Sequence, residues 1–412
     1  MLGLGRLGGF RRAVYAVAAG RFVNVLGAGA VYPFATLYFH LELGIPLSLV
    51  GTGLLANNVA TAAGTLAGGV LADRHGRKPV MVASMALSAP ALAAYALVTT
   101  ASEFVAVATV AGLAVGLLAP ASQALVADLT DDADRERAYG LLKVASNAGF
   151  GSGFVAGGLL YGVAKTGVFV VDGATCALAA VVFAVALPRG ERGDATAGVR
   201  ETVSGWVASV GTPQLAWLAL LNVGFAVLYA QMQATVPVWA DARLGLTSEQ
   251  LGTLYVLNPL VIVAVQLPAV ERVAGWRRTR GLVLSTGFWA ASFVAVAAVP
   301  AVPWLAGVAL VGGFLVLRTV GEILHAPLMT ALASDLGTPD RRGSQLSVIE
   351  VAKRLGFGVG PVVGGLFFDA GRPGLLWPTL VVAAGLLAAG VLAVERLVDP
   401  SVNGGPSPEP AD

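Results

Sequence analysis

Arg318, Glu322 and His325 are spaced four and three residues apart inside an apolar run at about 304–333. That spacing puts all three on one face of a helix. Glu322 lies thirteen residues before Asp335, about 20 Å along a helix axis, and reads as the deepest carboxylate in any apolar run. A carboxyl at such depth is suited to carrying a proton, because burial favours its neutral form and an approaching cation its ionised form. Arg318 one turn away argues the other way, since a permanent guanidinium partner holds a carboxyl ionised. Arg21 is a further intramembrane charge, nine residues past Arg12 and so about 13 Å deeper. Three roles are open for this group. Glu322 carries a coupling proton, with Arg21 in place of Arg318 as its partner across the cavity in one conformation only; Arg318 and Glu322 form a static pair; or Glu322 touches substrate directly. His325 reads as a hydrogen-bonded structural residue, though imidazole titrates in the useful range.

Neutral amides and aromatics supply a second set. Asn222, Phe225 and Tyr229 follow one face of a helix, and Asn24 and Asn258 sit in other apolar runs. These five are candidate substrate contacts; amides in apolar helices serve equally as glue between helices. A nucleotide loop, a metal constellation and a nucleophile with a base in reach are all missing from the sequence. The expectation is therefore a protein that is not an enzyme, with no cofactor and no metal. Cys176, the single cysteine, lies in an apolar run and implies no disulfide framework.

The elements that must position these residues are membrane helices. The 412-residue chain is 56% hydrophobic and 12% charged, against about 25% charged residues in a soluble domain. Twelve apolar runs are long enough to span a bilayer. They lie at about 13–40, 47–71, 79–101, 104–127, 141–164 and 168–187, then 215–240, 250–270, 281–299, 304–333, 345–368 and 375–394. The expected organisation is a six-helix bundle over 1–187, a polar central loop at 188–211, a second bundle over 212–398 and a disordered tail at 399–412. No cleavable leader is expected, so the first helix stays in the mature protein.

Lys and Arg concentrate in alternate loops, among them Arg74, Arg77 and Lys78, then Arg135, Arg137 and Lys143; the other loops hold only Lys165, Arg243 and Arg372. The bias places both termini and the central loop in the cytoplasm. The basic residues form no stripe, which argues against nucleic acid. The halves repeat: at an offset of 207 residues Asp128 maps to Asp335, Gly149-Phe150-Gly151 to Gly356-Phe357-Gly358, Gly153 to Gly360 and Gly157 to Gly364. In transporters built from repeats, binding sites lie between the repeats near the bilayer midplane.

Between the second and third runs stands Gly69-Val70-Leu71-Ala72-Asp73-Arg74-His75-Gly76-Arg77-Lys78-Pro79. A charge cluster this dense belongs in a turn at a membrane surface, since one charge in hydrocarbon costs about 2.5–3.5 kcal/mol. Gly69 and Gly76 allow close backbone approach and a sharp turn. Asp73 can accept from Arg77 or from helix N-terminal amides, with Asp128 a second carboxylate in reach; alternatively these charges flank the membrane and set topology.

Gly69-x-Leu71-Ala72-Asp73-Arg74-x-Gly76-Arg77-Lys78 resembles the loop 2–3 signature of the major facilitator superfamily, and the resemblance extends over nearly the whole chain. It implies an all-α membrane protein with twelve transmembrane helices in two pseudo-symmetric six-helix bundles, which rock about a cavity lined by helices 1, 4, 7 and 10. It also implies that Asp73, Arg77 and Asp128 form a charge relay latching the outward-open state. The second half carries a worn copy, Val273-Ala274-Gly275-Trp276-Arg277-Arg278, with Glu271 the substitute for Asp73, so a first-half latch is expected to be the stronger. Drug/proton antiporters of this superfamily carry Gly-x-x-x-Gly-Pro-x-x-Gly-Gly in helix 5. Here helix 11 has the whole pattern, Gly356 through Gly360-Pro361 to Gly365, whereas helix 5 has Phe154 in place of the proline after Gly149 and Gly153, before Gly157. Close helix packing accounts for these glycines equally well.

Together these features predict a secondary active transporter that moves small amphiphilic organic compounds across the cytoplasmic membrane by alternating access. The expected mode is proton-coupled efflux by a monomer whose partners are the lipid bilayer, protons and a small-molecule substrate. The alternatives are an importer or uniporter of a polar metabolite and a non-transporting membrane sensor.

Overall fold

The computed structural model describes residues 9–188, 212–273, 275–336 and 342–404. The expected central loop at 188–211 therefore lies, but for its first residue, outside the described residues. The chain forms two compact units, Met1–Val199 with Leu246–Pro259, and Arg200–Gly245 with Leu260–Asp412.

The first unit holds α1 (Arg12–Glu42), α2 (Leu47–His75), α3 (Arg77–Leu97), α4 (Ala101–Leu129), α5 (Asp132–Val163) and α6 (Gly167–Ala186). The second holds α7 (Pro213–Ala234), extended after Thr235 by a short helix at Val236–Leu244, then α9 (Arg278–Ala301), α10 (Trp304–Asp335), α11 (Arg342–Asp369) and α12 (Pro373–Glu395). Between them in sequence, α8 (Ser248–Val273) contributes its residues through Pro259 to the first unit. Among the described residues, eleven helices are long and apolar enough to cross a membrane. The twelfth expected span falls on α5, which is 32 residues long but misses that measure. Its first turns are polar, and glycines at 149, 151, 153, 157, 158 and 162 dilute its apolar part.

Local sequence sets the helix ends. Thr100 and Thr247 start α4 and α8 with capping boxes closed by Glu103 and Gln250. Pro213 enters α7 at its first turn, where its missing N–H costs nothing. The tail departs from expectation. Asp399–Gly404 is folded rather than disordered: Asn403 is buried, its carbonyl and side chain accepting from the Arg278 and Thr279 amides. Ser401 donates from both its amide and its hydroxyl to Asp399, which holds that carboxyl below the usual carboxylate range.

Within the first unit α1 packs on α5 and α6, α2 on α4, and α3 on α6; within the second, α7 packs on α11, and α9 on α10 and α12. Glycines make the closest of these seams. Gly149, Gly153 and Gly157 lie against the α1 backbone at Phe22, Leu26 and Ala30, where an added Cβ would come within 3.0 Å. Gly356 and Gly360 meet the α7 backbone at Val223 and Val227 in the same way, and Gly364 meets the side chains of Gln231 and Thr235. Each α1 partner lies 201 residues before its α7 counterpart, so the sequence repeat is also a packing repeat. Pro361 is buried within α11, and Phe154 fills the corresponding place in α5 against Tyr32, Phe150 and Tyr255. In contrast to the expected close approach at Gly69, no described atom lies within 4 Å of a Cβ built there, because Gly69 sits inside α2 on an open face.

Overpacking a tight seam costs about 1–3 kcal/mol or more. Gly153→Val is therefore expected to lower the thermal midpoint of the detergent-purified protein sharply, whereas Gly69→Ala leaves it within a degree or two. Equal midpoints for both variants would contradict the seam.

Candidate functional site

Three places gather the charged and polar residues singled out by sequence. The first is the turn between α2 and α3. Gly76 takes a φ of +92°, a conformation costly for any residue with a Cβ, and Arg77 opens α3. Arg77 Nε lies 2.9 Å from Asp128 Oδ2 at the end of α4, and its Nη2 donates to Oδ1 at 3.4 Å. Asp73 is half-buried in the last turn of α2, with no ion-pair partner among the described residues. The structure thus joins two members of the expected relay.

The second unit repeats this pair, contrary to the expectation of a decayed copy. Gly275 has a φ of +81°, Arg278 opens α9, and Arg278 Nη2 lies 2.8 Å from Asp335 Oδ2. Arg278 Nη1 also donates to the carbonyls of Ala331 and Val402. Glu271 is exposed and takes no part. The loss of an aspartate at the position of Asp73 left the Arg–Asp bridge intact, because its carboxylate comes from the end of α10.

The second place is a cavity of about 150 Å³ within the second unit, between α7, α9, α10 and α11, lined by Phe225, Tyr229, Trp289, Glu322, His325, Lys353 and Phe357 among others. Helical spacing brings Arg318 and Glu322 together, with Nη1 and Oε2 2.7 Å apart. Packing of α7 adds what spacing could not: Tyr229 donates its hydroxyl to Glu322 Oε1 at 2.5 Å, and its ring lies 3.5 Å beneath the Arg318 guanidinium. The Arg318 side chain is 1% exposed and that of Glu322 23%, so the carboxyl faces the cavity and the guanidinium backs it. His325 packs its ring on Phe225 and Trp289, with centroids 4.5 and 5.3 Å away.

The third place is a cavity of about 350 Å³ in the first unit, lined by Arg21, Ser122, Gln123, Tyr139, Lys143 and Ser146 with Ala119 and Leu142. Arg21 Nε donates to Ser146 Oγ at 3.1 Å. Lys143, assigned to a loop from the sequence, stands in the second turn before Gly149 on α5, which begins nine residues earlier than its apolar run.

The remaining candidates line neither cavity. Asn24 donates to Cys176 Sγ at 3.3 Å, and Asn222 to the Ile349 carbonyl at 2.8 Å, so both tie helices together. Asn258 is half-buried on α8. Sequence reasoning passed over one buried carboxyl. Asp172 on α6 is 4% exposed, and its Oδ1 has no hydrogen-bond partner among the described residues. It lies five residues into α6, nearer a helix end than Glu322, and was visible in the apolar run at 168–187.

A sequence model of the Major Facilitator Superfamily matches residues 17–316 and 242–411. The chain is 25% identical to an MFS-type transporter, YttB, of Bacillus subtilis (strain 168), over 87% of this chain and 89% of that protein. It is likewise 25% identical to multidrug resistance protein MdtH of Aeromonas hydrophila, over 86% and 88%. Among solved structures, the nucleoside transporter NupG superposes with a TM-score of 0.79 at 14% identity, covering 93% of this chain and 98% of that one. A bacterial homologue of the human lysosomal transporter Spinster superposes at 0.75 and 15% identity, covering 97% and 100%.

Proposed function

The chain belongs to the Major Facilitator Superfamily, and we propose that this multi-pass membrane transporter exports small amphiphilic organic compounds in exchange for protons, with Glu322 the proton-binding group. One observation carries the reading: Glu322 is a carboxyl inside a membrane-spanning unit that reaches an apolar-walled cavity while a buried arginine holds it from behind. Protonation of Glu322 would cancel its charge and release its bridge to Arg318. The Tyr229 ring would then keep the guanidinium in place, a cation–π contact worth about 2 kcal/mol when desolvated. A hydrogen-bond donor on a substrate entering between Phe225, Trp289 and Phe357 would compete with the proton for the same carboxyl oxygens, so that proton and substrate exclude each other. The MdtH relatives are named for multidrug resistance, which supports export and a broad apolar site. On this reading Phe225 and Tyr229 are substrate contacts, and Asn24, Asn222 and Asn258 hold helices in register.

The arginine–aspartate pairs at the two turns support a latch that opens and closes with the transport cycle. We assign Asp73, Arg77 and Asp128 to it, with Arg278 and Asp335 as its second-half counterpart.

In proteoliposomes with an imposed pH gradient, Glu322→Gln is expected to reduce gradient-driven movement of amphiphilic dyes to background. Exchange of dye for dye at equal pH should persist, which also shows that the variant is folded. A wild-type pH dependence in Glu322→Gln would exclude the proton role. In the same assay Asp73→Asn, which keeps shape and removes charge, should slow transport at normal expression; full transport would remove Asp73 from the latch.

A further inference from the structure

We propose that the cavity in the first unit binds an organic anion, with Arg21 and Lys143 holding a carboxylate or sulfonate carried on a small apolar body. Its approximate volume of 350 Å³ lies within the range of ligand pockets. Both charged residues that line it are cations, and no acidic side chain lines it. Arg21 enters the membrane about 13 Å beyond Arg12. Charges at such depth are ordinarily paired or face a functional cavity. Arg318 in the other unit meets that rule with Glu322. Arg21 meets it differently: its Nε donates to Ser146 Oγ, and among the described residues no carboxylate pairs with it.

The site is also built to a fixed width. Arg21 is on α1 and Lys143 on α5, and the glycine seam at Gly149, Gly153 and Gly157 locks those two helices backbone to backbone. The Ser146 bond orients the guanidinium from its Nε side, leaving the planar pair of terminal nitrogens to meet two oxygens of an anion. Lys143, three residues from Ser146 on the same helix, adds a mobile point charge. Ser122 and Gln123 on α4 supply neutral polar groups, while Ala119 and Leu142 give an apolar wall. The arrangement suits one anionic group on a hydrocarbon or aromatic body and disfavours an amine.

This deepens the export reading by naming the charged end of the transported amphiphile, and it rests on that reading only for the word transported. Binding is measured without flux, so the two claims fail separately. The test uses full-length protein in phosphatidylcholine nanodiscs at pH 8, with three probes of one shape: 2-naphthoate, 2-naphthamide and 2-naphthylmethylammonium. Calorimetry is expected to show naphthoate binding at least tenfold tighter than the amide, with the ammonium weakest. Arg21→Gln with Lys143→Gln should abolish the difference between naphthoate and naphthamide, and Arg21→Lys should keep part of it, with monodisperse elution confirming the fold. Naphthoate binding no tighter than the amide, undetectable binding included, overturns the proposal, as does an unchanged preference in the double variant. Lipid phosphate offers the same chemistry. If adding phosphatidylglycerol to the nanodiscs raises the naphthoate Kd severalfold, the site belongs to lipid and the assignment to substrate falls; an unchanged Kd supports it.

Discussion

The charge on Arg318 constrains everything around it. A guanidinium that is 1% exposed in the middle of a membrane helix is tolerable only with a counter-charge and a polarisable neighbour. Glu322 supplies the first from the next turn of α10, and Tyr229 supplies the second from α7. Removing one partner of such a buried pair costs about 3–5 kcal/mol, because the other charge is left uncompensated. The α7–α11 glycine seam, the cavity wall formed by Phe225 and Phe357, and the packing of His325 on Trp289 all lie around this group. A transporter that cycles protons through Glu322 must therefore offset that cost when the carboxyl is neutral, and the tyrosine ring, at about 2 kcal/mol, offsets part of it.

The two units share a scaffold and differ in charge. Each uses three glycines at four-residue spacing to bring its fifth helix onto its first, and each closes the turn between its second and third helices with a glycine of positive φ and an Arg–Asp bridge. On that common frame the first unit presents two cations and no carboxyl to its cavity, and the second a carboxyl and Lys353, with a buried arginine behind the carboxyl. The proposed division of labour follows from that difference: the first unit would hold an anionic group and the second would exchange a proton.

Much of this was legible in the sequence, for identifiable reasons. Arg318 and Glu322 meet because helical periodicity alone decides it, and the glycine seams follow from small residues four apart in apolar runs. Tyr229 as the third partner was not legible, since its position depends on the packing of α7. Lys143 was misplaced because α5 continues as a helix through a polar stretch that hydropathy assigns to a loop. The second Arg–Asp bridge was hidden by connection lengths: the halves align at 201 residues for Arg77 and Arg278 but at 207 for Asp128 and Asp335, so no single offset shows both. Asp172 was in plain view, and only its burial among α1 and α6 side chains marks it as unusual.

The central claim is that Glu322 takes up and releases a proton. Infrared difference spectra of the full-length protein in lipid, recorded between alkaline and acid pH, report that directly through the C=O stretch of a protonated carboxyl. A band that appears on acidification, vanishes in Glu322→Gln and survives in Asp172→Asn is the predicted result. A band that persists in Glu322→Gln and disappears in Asp172→Asn, or a spectrum that Glu322→Gln leaves unchanged, would contradict it.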